Sequence, residues 1–519
     1  MFTDKLFEKN IGDAFTCTGR WWIPHPPCPK NPKQVVYGTL TCTPEGKYLL
    51  STVGPLDFDE NQGLTNVIAG KLPQFNTIWG ATTQSEFITL FDCDNVESST
   101  SASASFTYQA ATVFVTNSKQ WFNSVEDVGF DELRLRYKHL VAWVGTSGIS
   151  LLRPKDCYGA ESGSSVYSIN KPFVLQTVDA DDYVVSLRVG YRIVGSQILI
   201  SKPNNPPNFT YSNDTDISIK PKEGHIKFDA CQKLERIVLN FLSLFMGERT
   251  FIENIEGFND PCDPRRVTQV RVFLYVHMPV LQEVKQWKML FPYQEVRGLF
   301  KASLRKMFVK EMQPLYNQFF AEQLHPSEYP EDEFMAAIRA IEVFHRWVRG
   351  GDYVAKQDYK GFAGRFENLV DVVVEEMQDQ KVAIEDVEGF KTNLSSRLTY
   401  GYQYSLKKRL MDILADQIVF LELFVNKDAA SDNEQSLKIL KTYANVIVKT
   451  RNCYTHYDEE DKKIAITEST ELKKAALRLI VLLYMLLLHY VGIPKEAVDM
   501  AIRKHSADLS SKFGYLRPT

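Results

Sequence analysis

Arg451 and His456, separated by four residues in VKTRNCYTHYD, are the side chains of this 519-residue sequence best suited to act on a phosphodiester. Cleaving a ribose-phosphate linkage without a metal needs a base of near-neutral pKa to take the 2′-OH proton. It also needs a fixed positive charge on the crowded phosphorane that follows. His456 fits the first role and Arg451 the second. Asn452 can orient the phosphate or simply turn the chain at a helix end.

Spacing alone decides nothing, because Arg20 with His25 and Arg134 with His139 repeat it. Arg20 and His25 flank Trp21-Trp22-Ile23-Pro24, the composition of a strand edge or turn, and Arg134 and His139 sit in a segment open to either structure type. Arg451 instead ends a readable helix. Ser431 and Asp432 offer N-cap chemistry, and Leu437, Leu440, Ala444 and Ile447 follow at spacings of three and four. Arg451 extends that stripe, which predicts a buried guanidinium in need of an anion. Five residues rotate a helix by about 140°, so the two side chains converge only if the helix ends or bends between them. The polar YDEEDKK that follows supplies a reason for such a break. Taken alone, the pair reads more readily as a buried structural ion pair or a helix-end cation than as a catalytic pair.

The elements around this pair divide the chain. Residues 10–220 carry short β-rich runs broken by turn residues. QVVYGTLTCTPEGKYLLSTVG reads as a hairpin around Pro44-Glu45-Gly46, and EFITLFDC, ATVFV, DYVVSLRVGYRIVGSQILISK and FTYSNDTDISIK continue the pattern. LRLRYKHLVAWVG reads as a strand or a short helix, and ESSTSASASFTY as an exposed loop. A β-sandwich or barrel is expected. Near Phe228 the spacing turns helical in CQKLERIVLNFLSLFMG, with a strand in VRVFLYVHM. Helices are predicted at 297–322, 331–349, 364–379, 403–425, 434–451, 469–491 and 495–507. The longest apolar run, Leu479 to Leu488, falls short of the roughly 20 residues that span a bilayer and predicts the core of a bundle.

A chain of this length, 44% hydrophobic and 24% charged, predicts two or three folded domains. The net charge of -4 leaves any nucleic-acid contact to local basic surface. Eight scattered cysteines with no CxxC pair predict reduced thiols, and the charged start predicts no signal peptide, hence a cytoplasmic location. Arg297, Lys301 and Arg305 in RGLFKASLRKMFVK line one helical face and form a weak RNA-binding strip, or only a solvated surface. Cys17, His25 and Cys28 match no zinc spacing, and GxxxxGK[ST], GxGxxG and HExxH are missing from the sequence. No metal or cofactor is expected.

The segment Val448-Lys-Thr-Arg451-Asn-Cys-Tyr-Thr-His456-Tyr-Asp resembles the RNxxxH motif of HEPN domains, set at a helix end before a long apolar helix. Gly19-Arg-Trp-Trp-Ile-Pro24, Tyr37-Gly-Thr-Leu40, Thr77-Ile-Trp-Gly80 and Phe87-Ile-Thr-Leu-Phe-Asp-Cys93 resemble the N-terminal domain of ApeA-type antiphage proteins. The resemblance implies a bacterial antiphage (abortive infection) effector whose HEPN module cuts RNA, with tRNA as the expected target. It further implies Arg451, Asn452 and His456 as the site, a 2′,3′-cyclic phosphate product, no metal, and a homodimer or higher oligomer sharing one cleft. A phage-derived trigger is expected to act through the N-terminal domain.

The expected fold is α+β multidomain: an N-terminal β-rich sandwich or barrel-like domain over 1–225, a mixed connector over 226–325, and an all-α HEPN helical bundle over 326–519. Two other functions fit the sequence. One is a HEPN module that docks RNA or a partner without cutting, beside a ligand-sensing N-terminal domain. The other is a carbohydrate- or peptide-binding N-terminal half on an oligomerising bundle.

Overall fold

The computed structural model describes residues 4–24, 35–56, 74–99, 105–152, 166–194, 210–248, 250–260, 268–274, 285–324, 329–430, 433–457 and 459–512. The chain divides into two compact units, Met1–Phe308 and Val309–Thr519.

The first unit is built on strands β1 (Phe15–Trp22), β2 (Val36–Cys42), β3 (Tyr48–Val53), β4 (Phe75–Thr82), β5 (Phe87–Ser99), β6 (Ser105–Thr116), β7 (Gly129–Phe130), β8 (Glu132–Tyr137), β9 (Ile149–Leu152), β10 (Val166–Ile169), β11 (Phe173–Ala180), β12 (Tyr183–Val194), β13 (Thr210–Pro221), β14 (Ile226–Lys227), β15 (Ile252–Asn259) and β16 (Thr268–Leu274). Twelve of them form one sheet in the order β11-β12-β13-β8-β15-β16-β6-β3-β2-β1-β4-β5. β6 also pairs with β5, so β1 to β6 close into an antiparallel barrel with no free edge. From β6 the sheet continues outward as an open, six-stranded extension through β16 to β11. Of the two sheet architectures expected, the barrel is the one formed.

Glycines permit the barrel's tightest packing. The Trp21 indole is fully buried and donates to the Gly38 carbonyl at 3.2 Å. Trp21 pairs with Gly80 across β1 and β4, and a Cβ at Gly80 would stand 2.3 Å from the Trp21 ring. The elements GRWWIP, YGTL and TIWG therefore interlock around one aromatic ring.

The expected hairpin is present, with Gly46 at φ 82 in the turn between β2 and β3. Of ESSTSASASFTY, expected as an exposed loop, residues 97–99 and 105–108 lie instead in β5 and β6, which pair Ser99 with Ser105, while 100–104 lie outside the described residues. Alternation explains it, since Phe106, Tyr108 and Ala110 are buried on one face of β6 while small residues take the other. LRLRYKHLVAWVG holds both alternatives, β8 followed by α1 (Leu140–Val144).

The extension has two unlike faces. Leu133, Leu135, Ile217, Ile219, Val185 and Leu187 bury on one side, where α2 (Phe228–Met246) lies; Tyr137 donates to its Glu235 carbonyl at 2.8 Å. The other face is an ionic lattice in which Glu132 meets Arg134 at 2.6 Å and Arg188 at 3.0 Å, and Arg271 meets Glu256 at 3.1 Å. β15 and β16 sit inside the sheet between β8 and β6, so the stretch that was expected to act as a connector supplies interior strands. The unit ends with α3 (Tyr293–Val296) and α4 (Phe300–Met307).

The second unit is helical: α5 (Gln313–Leu324), α6 (Pro330–Arg349), α7 (Lys356–Lys360), α8 (Ala363–Asp379), α9 (Val387–Thr399), α10 (Leu406–Leu414), α11 (Ile418–Phe420), α12 (Asn433–His456), α13 (Glu459–Lys462), α14 (Ser469–Tyr490) and α15 (Lys495–Lys512). α14 is its axis. Leu479 to Leu488 are all buried, as an all-round apolar helix requires. α14 packs along α6, and Lys473 pairs with Glu333. Among the described residues no helix is long and apolar enough to cross a membrane. The predicted helix 297–322 is broken: Arg297 follows α3, α4 starts at Phe300, and α5 starts only at Gln313.

Candidate functional site at the end of α12

α12 buries one side against the bundle through Leu440, Tyr443, Ala444, Ile447, Thr450 and Cys453. Leu437, expected in that stripe, is 45% exposed. The real stripe runs through Tyr443 and Thr450, rotated from the expected one, and this rotation moves Arg451 to its edge. Arg451 is therefore half-buried rather than buried. The N-cap expected at Ser431 and Asp432 lies outside the described residues.

The break expected between Arg451 and His456 is not there. α12 stays helical through His456 and ends one residue later, where Tyr457 takes φ 54 and donates its N–H to the Cys453 carbonyl at 2.8 Å. Tyr457 thus does the work of a left-handed C-terminal cap. Tyr457, the first residue of YDEEDKK, thus ends the helix after His456 rather than before it. On an unbroken helix Arg451 and His456 point about 140° apart, with Asn452 at about 100° between them. Asn452, half-buried, and His456, exposed, lie on the side turned away from the bundle, while half-buried Arg451 sits at the edge of the buried stripe.

The chain then folds back on α12. Asp461, 5% exposed, pairs with Lys449. Its carboxyl is held below the ordinary range chiefly by the Lys449 hydrogen bond, with burial opposing and Asn452, the Lys449 charge and His456 adding to it. Ile466 N–H donates to the buried Thr450 hydroxyl at 3.0 Å, and the Tyr454 hydroxyl donates to the Ile466 carbonyl at 3.3 Å. Arg451 Nη1 donates to Asn452 Oδ1 at 3.3 Å. Sequence reasoning missed Asp461, treating it as one of the polar residues that stop a helix; its signal was an acid within one turn of the motif in the folded-back chain.

The remaining candidates are placed elsewhere. Arg297, Lys301 and Arg305 are exposed in the first unit, and Arg305 Nε is spent on the Asp179 carbonyl at 2.9 Å. Arg134 is locked to Glu132, and His139 precedes α1 in a left-handed conformation at φ 69. Arg20 is exposed on β1, whereas His25 and Cys28 lie outside the described residues. Cys17 is buried in the barrel, and desolvation pushes its thiol up to about 12, so it does not offer a ready thiolate.

Two family models match. One, described as ApeA N-terminal domain 1, covers residues 16–307. That is more than half of the chain. The chain belongs to the ApeA family. The second, Apea-like HEPN, covers residues 335–497 and so includes α12 and its motif. The ApeA-type chain is accordingly an antiphage-defence protein with a C-terminal HEPN module. No curated protein and no solved structure matches it.

Proposed function

We propose that this ApeA-type chain is an endoribonuclease that needs no metal and cuts RNA, tRNA foremost, through Arg451 and His456 once a phage-derived trigger acts on its N-terminal unit. The observation that carries the reading is that Arg451, Asn452 and His456 all keep access to solvent on the last turns of α12, inside the HEPN match.

In this reading His456 takes the ribose 2′-OH proton as O2′ attacks phosphorus, and Arg451 holds the developing phosphorane charge. The bond from phosphorus to O5′ breaks, the leaving oxygen takes a proton from water, and the hydroxide so formed takes the proton that His456 had accepted. The products are a 2′,3′-cyclic phosphate and a 5′-hydroxyl end. One protomer presents the two groups on either side of a helical ridge. A second copy across a two-fold axis sets another ridge opposite and encloses the linkage, which supports a homodimer as the working form.

Chain purified from phage-infected cells and mixed with total tRNA in EDTA tests the proposal. Cleavage is expected to leave cyclic phosphate ends and to vanish in a folded His456→Ala variant; undiminished cleavage by that variant refutes it. The 140° divergence favours one rival, a module that docks RNA without cutting it. That rival predicts RNA binding with no new ends from the wild-type chain under any activation.

A further inference from the structure

We propose that residues 351–360 and 397–408 together form a docking surface for single-stranded RNA, with bases stacked on Tyr353 and Tyr400 and phosphates held by the cations around them. This deepens the nuclease reading by naming where its substrate is gripped. Residues 351–360 follow α6 and include α7, and residues 397–408 run from the end of α9 into α10. Hydrogen bonds sew the two stretches together. Tyr353 N–H donates to the Tyr402 carbonyl at 2.6 Å, Tyr404 N–H to the Gly351 carbonyl at 2.7 Å, and the Tyr359 hydroxyl to the Leu398 carbonyl at 2.5 Å.

A buried guanidinium locks the join. Arg409, 2% exposed, donates through Nε to the Tyr404 carbonyl at 3.1 Å and through Nη2 to the Gly351 carbonyl at 3.2 Å, while Nη1 lies 3.3 Å from His345 Nδ1. Gly351, at φ 142, leaves it room, since a Cβ there would stand 2.3 Å from Nη1.

Two aromatic rings meet water on this frame. Tyr353 is 57% and Tyr400 61% exposed. The Tyr353 ring rests edge-on against Tyr404 at 4.6 Å, and Lys408 Nζ lies 5.5 Å from the Tyr404 ring centre. A ring held in place yet open to solvent is a stacking platform, because every base presents a π-face.

The charge around the rings is one-sided. Residues 351–360 and 397–409 hold Lys356, Lys360, Arg397, Lys407, Lys408 and Arg409 against Asp352 and Asp358. Asp412 and Asp416 nearby are spent on Lys408 and Arg349. Lys356, Lys360, Arg397 and Lys407 are exposed. In a chain of net charge -4 this local excess selects an anion, and rings beside the cations select one that carries bases. α10 also packs against α12, so RNA held here lies on the unit that bears Arg451 and His456.

The test is fluorescence anisotropy on the full chain carrying His456→Ala, so that bound RNA is not cut, with a labelled single strand of about 12 nucleotides over a series of salt concentrations. Tyr353→Leu and Tyr400→Leu are each expected to weaken binding about fivefold to a hundredfold with the salt dependence unchanged, and phenylalanine at either position, which keeps the ring, to stay within about twofold. Lys356→Gln and Lys407→Gln are each expected to flatten the slope of log affinity against log salt by about 0.7. Combining Tyr400→Leu with both lysine changes spares Tyr353 and Arg409, hence the frame. Parental affinity and slope in that combined variant overturn the inference, as does tighter binding of polyglutamate than of the RNA, which would make the surface a dock for an acidic protein. The nuclease reading is judged apart, with His456 intact. A chain that binds RNA through this surface and never cuts it keeps this inference and loses that reading. One that cuts tRNA with a kcat/KM and affinity indifferent to the combined changes keeps the reading and loses this inference.

Discussion

Replacing Thr450 by valine isolates the bond that folds the chain back onto α12. Thr450 is fully buried, donates to the Val446 carbonyl at 2.7 Å and accepts from Ile466 N–H at 3.0 Å. Valine has nearly the same shape, so no cavity opens. The Val446 carbonyl keeps its helical partner, and the loss concentrates on the Ile466 N–H, left without an acceptor in a part-buried place. A missing neutral hydrogen bond costs about 0.5–1.5 kcal/mol and an orphaned donor about 1–3 kcal/mol, so about 2 kcal/mol is expected. For a unit the size of Val309–Thr519, each kcal/mol moves Tm by about 2–4 °C. Scanning calorimetry should therefore show a fall of about 4–8 °C, and hydrogen exchange should show the Ile466 amide losing its protection. If Tm and that amide's protection both stay at wild-type values, Thr450 does not hold the returning segment, and the account of how the motif face is fixed fails.

Two further predictions concern the N-terminal unit. Gly80→Ala drives a methyl to 2.3 Å from the Trp21 ring and threatens its bond to Gly38. Overpacking of this kind costs about 1–3 kcal/mol, so an earlier fluorescence melt is expected; an unchanged melt would mean the barrel has slack there. Asp216 faces Arg188 at 3.8 Å, with Arg134, Asp214 and Glu256 also bearing on it, and burial raises its carboxyl from 3.8 to about 6. A raised acid makes ionisation costlier in the folded state, so its contribution to stability falls as pH climbs from about 4 through 6. Asp216→Asn should thus raise Tm at pH 7.5 and do little at about pH 3.5, below both values. Equal shifts at both values would place the effect outside this ionisation.

Local patterns were readable where one stretch of chain settles its own structure. The Pro44-Glu45-Gly46 turn, the α2 periodicity ending at Gly247 with φ 68, and the all-apolar α14 each followed from neighbouring residues. Barrel closure was not readable, because it depends on β3 pairing with β6 and β1 with β4, strands separated by long stretches of chain. α9 escaped notice because it has no buried residue, so Val387, Phe390, Leu394 and Leu398 give only a faint stripe among small polar residues. At the site, residue types and spacing pointed to Arg451, Asn452 and His456. Their setting did not follow: a left-handed Tyr457 ends the helix one residue later than the break the geometry demanded, and Asp461 enters only through a returning segment.

The ten consecutive apolar residues of α14 are harmless only while the bundle stays shut. Once heat opens it, that run becomes a sticky, uncharged segment, and association between unfolded chains then outpaces refolding. Melting of this protein is therefore expected to be one-way, with an apparent midpoint that shifts with heating speed, so variants compare fairly only when warmed at the same pace. Within the cell the same property makes a damaged copy a target for disposal rather than repair.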